Sequence, residues 1–268
     1  MKMAKFKIWM VALTLIMGVS LSSCLNSETD PIYSDAFPVK CVNFYPPTFQ
    51  TINGQKLVLS GSSTASFNVG ELYMLYFQFN TEEQSVDAPS INVTVWNGIE
   101  PIALNAKSSE GPTGISESTK ANSALYAFSG IVSSSTGSVN IDPAVIFDNE
   151  YLYVTPVYWV KQETGDEKQK EELAKHAFVL TYDLENIKEG DEELVLTLNH
   201  VITETSEEEV KRDAYTSTIK AYPLTSALYA FQSKAKQKPT KIKLVGQVNT
   251  SKNSLEGATE QVWEYTVK

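Results

Sequence analysis

His176 and His200 are the only two imidazoles in the 268-residue chain, so any histidine-centred chemistry must run through them. Both flank segments that read as β-strands, and two imidazoles on neighbouring strands can nucleate a zinc site. His200, however, falls in line with Leu194, Leu196 and Leu198 on one strand face. The expectation is a strand-end ring hydrogen-bonded to backbone, without a metal and without a catalytic role. Other reactive chemistry finds little support. Serines abound, but no Gly-x-Ser-x-Gly elbow occurs. Asp191-Glu192-Glu193 and Glu207-Glu208-Glu209 lack the spaced oxygen ligands and turn glycine of a calcium loop, and both are expected to be solvated loop charge. No spacing selects a carboxylate pair for glycoside cleavage. Trp96, Trp159 and Trp263 could line a sugar platform, although such rings more often fill β cores. Lys234, Lys236, Lys238, Lys241 and Lys243 could meet lipid phosphates; the expectation is lysines guarding an edge strand. No catalytic, metal or cofactor residue is assigned, and an enzyme is not expected.

Cys24 carries a different chemistry. Lys2, Lys5 and Lys7 precede an apolar run from Ile8 to Val19, and small residues then lead into Leu21-Ser22-Ser23-Cys24. That order is a secretory signal with a lipoprotein cleavage box. The run is too short to span a bilayer, which needs about 20 residues. The mature chain is expected to begin at Cys24 with lipid, palmitate included, on its thiol and amino group, and several acyl chains together hold a protein stably on a membrane. Leu25, not aspartate, follows the cysteine, so the usual inner-membrane retention mark is missing. Glu28 and Asp30 look like the acidic export signal of surface lipoproteins in Bacteroidetes-type bacteria. The expected location is the outer membrane, lipid-anchored, either exposed at the surface or facing the periplasm.

Composition narrows the partners. The chain carries 22 Lys and Arg against 32 Asp and Glu, a net charge of −10, and cleavage would remove three lysines and no acid. Arg212 is the sole arginine. Nucleic-acid binding, which needs clustered basic residues to displace counterions, is not expected. Of the two cysteines, only Cys41 lies within the expected folded part, so no internal disulfide is available there and Cys41 is expected to be a small buried hydrophobe.

These residues must be positioned by strands. Alternation marks Val39 to Tyr45, then Asn53-Gly54 separates Thr48–Ile52 from Gln55–Leu59 as a hairpin signal. Leu72 to Phe79 and Ser90 to Leu104 follow, with Pro101 at an edge or bulge. Residues 105 to 123 read as a long loop, Leu125 to Val132 as a strand, and Ser133 to Ser138 as a linker. Tyr151 to Val160 is apolar on both faces, as in a covered central strand with a bulge at Pro156. Ala177–Tyr182, Leu194–Val201 and Tyr215–Tyr222 are further strands, and Ile242–Val248 pairs with Gln261–Val267. Asp166 to Lys175, with Glu171 and Lys175 at i,i+4 spacing, reads as a short surface helix. Ser123-Ala124-Leu125-Tyr126-Ala127-Phe128 recurs as Ser226-Ala227-Leu228-Tyr229-Ala230-Phe231, without the sustained period of a repeat array.

Several blocks carry a family resemblance. Ile141-Asp142-Pro143, Tyr151-Leu152-Tyr153-Val154, His176-Ala177-Phe178-Val179-Leu180-Thr181-Tyr182 and Leu194-Val195-Leu196-Thr197-Leu198-Asn199-His200 resemble the second domain of NigD-like lipoproteins. Gly70-Glu71-Leu72-Tyr73-Met74-Leu75-Tyr76-Phe77 and Ile91-Asn92-Val93-Thr94-Val95-Trp96-Asn97 look like the first. The resemblance implies an N-terminal OB-like barrel and a C-terminal β-sandwich tethered by lipid in the envelope. The founding member was linked to a bacteriocin operon in an immunity role; the family has no assigned activity, so it transfers no catalytic or ligand residues. Residues 105 to 138 are longer than the family pattern, and Thr203 to Asp213 is more charged.

The combined expectation is an all-β fold: signal peptide 1–23, lipidated tether 24–35, OB-like β-barrel 36–138 and β-sandwich 139–268. The expected role is a non-enzymatic, envelope-anchored recognition or immunity-type protein with an unidentified protein or glycan partner. The alternatives are a fimbrillin-like structural adhesin and, behind it, a glycan-binding protein or hydrolase.

Overall fold

Residues 31–61, 66–104, 119–128, 131–134, 137–140, 144–203 and 210–267 are described by a computed structural model of the chain. The signal segment, Cys24, residues 105–118 of the long loop, Ile141-Asp142-Pro143 and Glu207-Glu208-Glu209 lie outside them. The chain divides into two units, one ending at Asn105 and the other starting at Ala106.

Period-two alternation builds the first unit. Its strands are β1 (Ile32–Phe44), β2 (Pro47–Gln50), β3 (Lys56–Leu59), β4 (Leu72–Asn80) and β5 (Ser90–Val95). They close in the order β1-β2-β3-β5-β4-β1, antiparallel except for the β3–β5 pair. This is the OB-like barrel expected. A short β6 (Ile102–Ala103) adds to β4. Val39, Cys41, Phe49, Leu57, Leu75, Phe77, Ile91 and Val93 fill the interior. Cys41 is fully buried, as expected, and Asn53-Gly54 lies in the β2–β3 turn, where Gly54 adopts φ +84°, a conformation that favours glycine.

The barrel starts earlier than the sequence suggests. Residues 32–35, expected to be tether, pair with Asn80 to Phe77 of β4. Tyr33 supplies the reason: its ring packs on those of Phe77 and Phe79, with centroids 6.4 and 5.3 Å apart.

The second unit contains strands β7 (Leu125–Ala127), β8 (Ile131–Ser134), β9 (Gly137–Asn140), β10 (Ala144–Phe147), β11 (Tyr151–Val154), β12 (Val157–Val160), β13 (His176–Thr181), β14 (Glu193–Ile202), β15 (Ala214–Ser217), β16 (Lys220–Pro223), β17 (Lys241–Val248) and β18 (Thr259–Thr266). One sheet runs β10-β11-β16; a larger one runs β13-β14-β17-β7-β12-β15, with β18 added to β17. A shared core includes Ile146, Leu152, Tyr222, Phe178, Leu196 and Leu244 from the two sheets, so the β-sandwich expectation holds. Tyr222 fastens the layers further: its buried hydroxyl donates to the Phe178 carbonyl at 2.7 Å. Two α-helices occur among the described residues, α1 (Asp166–Ala174), as expected, and α2 (Thr225–Ala235).

Four expectations change here. Leu125–Ala127, placed before the 138 boundary, pairs with β12 and β17 of the second unit, because Leu125 and Phe128 pack into its core. Within the stretch expected to be a linker, Ser133-Ser134 and Gly137-Ser138 instead lie on β8 and β9, which pair antiparallel. Tyr151–Val160 is two strands in different sheets, broken around Pro156, which has no N–H for a ladder. Tyr215–Tyr222 splits in the same way into β15 and β16.

The repeated hexapeptide takes two conformations. Its first copy contains β7; its second lies inside α2. In α2, Ala227, Phe231 and Ala235 are buried at a spacing of four, one face of a helix. Surroundings, not the six residues, select the backbone.

Candidate functional site

The two histidines meet inside the second unit. β13 and β14 pair so that His176 lies opposite Ile202 and Phe178 opposite His200, which puts both imidazoles on one sheet face. His176 Nδ1 is 2.9 Å from His200 Nε2. The His200 ring stacks on Phe178, centroids 4.9 Å apart, and Tyr158 of β12 packs against both imidazoles.

Helix α1 brings the third member. The helix is polar, and its buried residues are Gln169 and Glu172, three apart and so on one face. The polar face is satisfied locally: the Lys161 N–H donates to Glu172 Oε1 at 3.1 Å and the Glu163 N–H to Gln169 Oε1 at 2.9 Å. Glu172 then reaches His176 Nε2 across 3.4 Å, one turn along. Arg212, just before β15, completes the group by donating from Nε to Glu172 Oε1 at 2.8 Å. The Lys175 ammonium stands 3.5 Å from Glu172 Oε2. At the far end, His200 Nδ1 lies 3.3 Å from the Ala124 carbonyl oxygen. Asn122 braces that end of β14, donating to the Ile202 carbonyl and accepting from the Ile202 N–H.

Burial sets the electrostatics. Desolvation pulls His200 down to about 3, helped by the neighbouring His176 and Arg212. Desolvation also lowers His176, against the pull of Glu172. Burial alone would raise the Glu172 carboxyl, but the Lys161 N–H and Arg212 outweigh it and hold it below the usual range. The Tyr158 phenol is pushed up by burial and by the Glu172 charge. At neutral pH the site is therefore an ionised Glu172–Arg212 pair beside two neutral imidazoles. The side chains of Glu172, His176 and Arg212 are 2%, 0% and 5% exposed. The arrangement can hold or relay a proton and fasten α1 and the Arg212 segment to the sheet.

The other sequence candidates disperse. No group of three or more His, Cys, Asp or Glu side chains is placed to hold a metal among the described residues. Glu193 pairs with Lys243 at 2.8 Å and Asp191 accepts from the Lys188 N–H. Trp159 is buried and donates to the Asn249 carbonyl, whereas Trp263 stacks on Tyr265. The lysines do not guard an edge: β17 lies between β14 and β18, and Lys241 and Lys243 pair with Glu264 across the ladder. Cys24 lies outside the described residues.

Sequence reasoning missed Glu172 and Arg212. The signals were there: Glu172 and His176 are one helical turn apart, and Arg212 is the chain's sole guanidinium.

No protein-family model matches the chain, and no curated protein matches it. Solved structures do. The chain is similar to a candidate lipoprotein of Bacteroides fragilis NCTC 9343, with 27% identity and a TM-score of 0.74 over 88% of this chain and 99% of that one. It is also similar to a DUF1344 protein of unknown function from Bacteroides vulgatus ATCC 8482, with 11% identity and a TM-score of 0.51 over 88% of this chain and 92% of that one. The second likeness shows the fold alone. No helix among the described residues is long and apolar enough to cross a membrane.

Proposed function

We propose that the chain is a lipid-anchored protein of the cell envelope that binds or shields rather than catalyses. The similarity to the Bacteroides fragilis protein carries this reading, because it covers 88% of this chain and that protein is named for a lipoprotein character. The signal pattern ending in Leu21-Ser22-Ser23-Cys24 supplies the anchor. The finer reading is a NigD-like, immunity-type lipoprotein of the outer membrane, acylated at Cys24, with a protein or glycan partner and no nucleic acid. The buried state of Glu172, His176 and His200 supports a non-enzymatic role, since catalysis requires a reactive group within reach of substrate.

A second reading, a structural subunit that assembles by strand exchange, draws on β18. That strand pairs with β17 alone among the described residues, and a free strand edge is a template for another chain.

Cell fractionation with protease treatment of intact cells tests the reading. The wild-type protein is expected in the membrane fraction and Cys24→Ala in the soluble one; a Cys24→Ala protein that stays on the membrane overturns it. Digestion from outside then assigns surface exposure, and protection assigns the periplasmic face.

A further inference from the structure

The buried cluster forms a line of contacts with a hydrogen-bond acceptor at each end. It runs from Glu172 Oε1 to His176 Nε2 (3.4 Å), from His176 Nδ1 to His200 Nε2 (2.9 Å), and from His200 Nδ1 to the Ala124 carbonyl oxygen (3.3 Å). Three links need three protons. An ionised carboxylate and a carbonyl bring none, and a neutral imidazole brings one N–H and one lone pair. Two neutral rings therefore leave at least one link as two facing acceptors, whichever tautomers they adopt. We propose that His176 and His200 form a binding site for a single proton, taken up between the rings and held as one shared imidazolium.

The gap fits a proton better than a metal. Zinc takes nitrogen ligands at 2.0–2.1 Å, so two nitrogens 2.9 Å apart would close the angle at the metal to about 90°, well short of tetrahedral. Glu172 faces Nε2 of His176, not Nδ1, and does not converge on the gap.

The charges around the pair set when the proton enters. The Glu172 carboxylate on α1 favours it. Arg212 and Lys175 oppose it, as does burial under Tyr158, whose phenol stays neutral. Uptake then falls on the acid side of the ordinary imidazole range, and two adjacent imidazolium rings repel, so one proton excludes a second. When it enters, all three links can be made at once, and the new positive charge competes with Arg212 for Glu172. The same cluster that seals the second unit at neutral pH thus responds to acidification.

Because the chain has only two histidines, ring-nitrogen NMR of histidine-labelled, detergent-solubilised full-length protein reads the site directly. On lowering the pH, both rings are expected to shift together, with one midpoint below the ordinary imidazole value and one proton taken up per pair. In His200→Gln, the His176 midpoint is expected to move away from the paired value. Two rings titrating separately at ordinary values overturn the proposal, as does a folded protein whose rings take up no proton. Equimolar zinc reproducing the acid shift at neutral pH overturns it in favour of a metal site. The wild-type titration decides the matter even where the variant fails to fold.

Discussion

Arg212 donates to Glu172 at 2.8 Å with both side chains almost wholly buried. The sole guanidinium of the chain thus meets an inward-facing carboxylate of a polar helix. Removing one partner of such a buried, hydrogen-bonded pair costs about 3–5 kcal/mol.

Arg212→Met is therefore expected to lower the stability of the second unit by about that amount, read from the urea midpoint. The double variant Arg212→Met/Glu172→Gln should recover much of it, because neither charge then remains. Lys252→Ala, which breaks the exposed Lys252–Glu256 pair, should leave the midpoint unchanged.

Acid should weaken the same unit in a defined window. The folded state holds both imidazoles below their ordinary value, His200 near 3, whereas the unfolded chain protonates them around pH 6.5. Below that pH the unfolded state binds more protons, so stability falls by about 1.4 kcal/mol per pH unit for each ring that stays neutral. Glu172, whose folded value is depressed, adds to the loss only below about pH 4.5. Urea midpoints should be level above about pH 7 and drop towards about pH 5; the double variant His176→Gln/His200→Gln should flatten that slope.

Gly246 in β17 is held to its size by Phe128. A Cβ there would lie 2.8 Å from the ring Cζ and closer still to Cε2. Gly246→Ala should destabilise by about 1–3 kcal/mol through overpacking, and Phe128→Leu introduced beside it should relieve part of that loss. Thermal melts of the two single variants and the double variant check this.

Cys41 is buried in the barrel, and burial pushes its thiol up. It should resist a thiol reagent in the native protein and react at once in denaturant, with the rate read by absorbance. Fast native labelling would mean that the barrel opens.

The elements legible in the sequence were those whose apolar run or alternation is continuous within the strand itself. β4, β13, β14 and the β17–β18 pair lie within two residues of their sequence readings, and α1 follows from its charge spacing. The tether edge was misread because the value of Ile32 to Asp35 depends on Phe77 and Phe79, more than forty residues away. The splits around Pro156 and between Ser217 and Lys220 were hidden because both halves are strand-like and only tertiary packing assigns them to different sheets. The hexapeptide shows the limit most plainly, since identical residues form a strand in one place and a helix in another. The histidines were noticed, but their proximity depends on the β13–β14 register, and Arg212 joins from 40 residues beyond Glu172.

Mass spectrometry of the N-terminal peptide of the membrane-extracted protein tests the envelope reading most directly. The expected result is a mature chain starting at Cys24 with diacylglyceryl and an N-acyl group on that residue. An unmodified Cys24, or a mature terminus elsewhere, would contradict it.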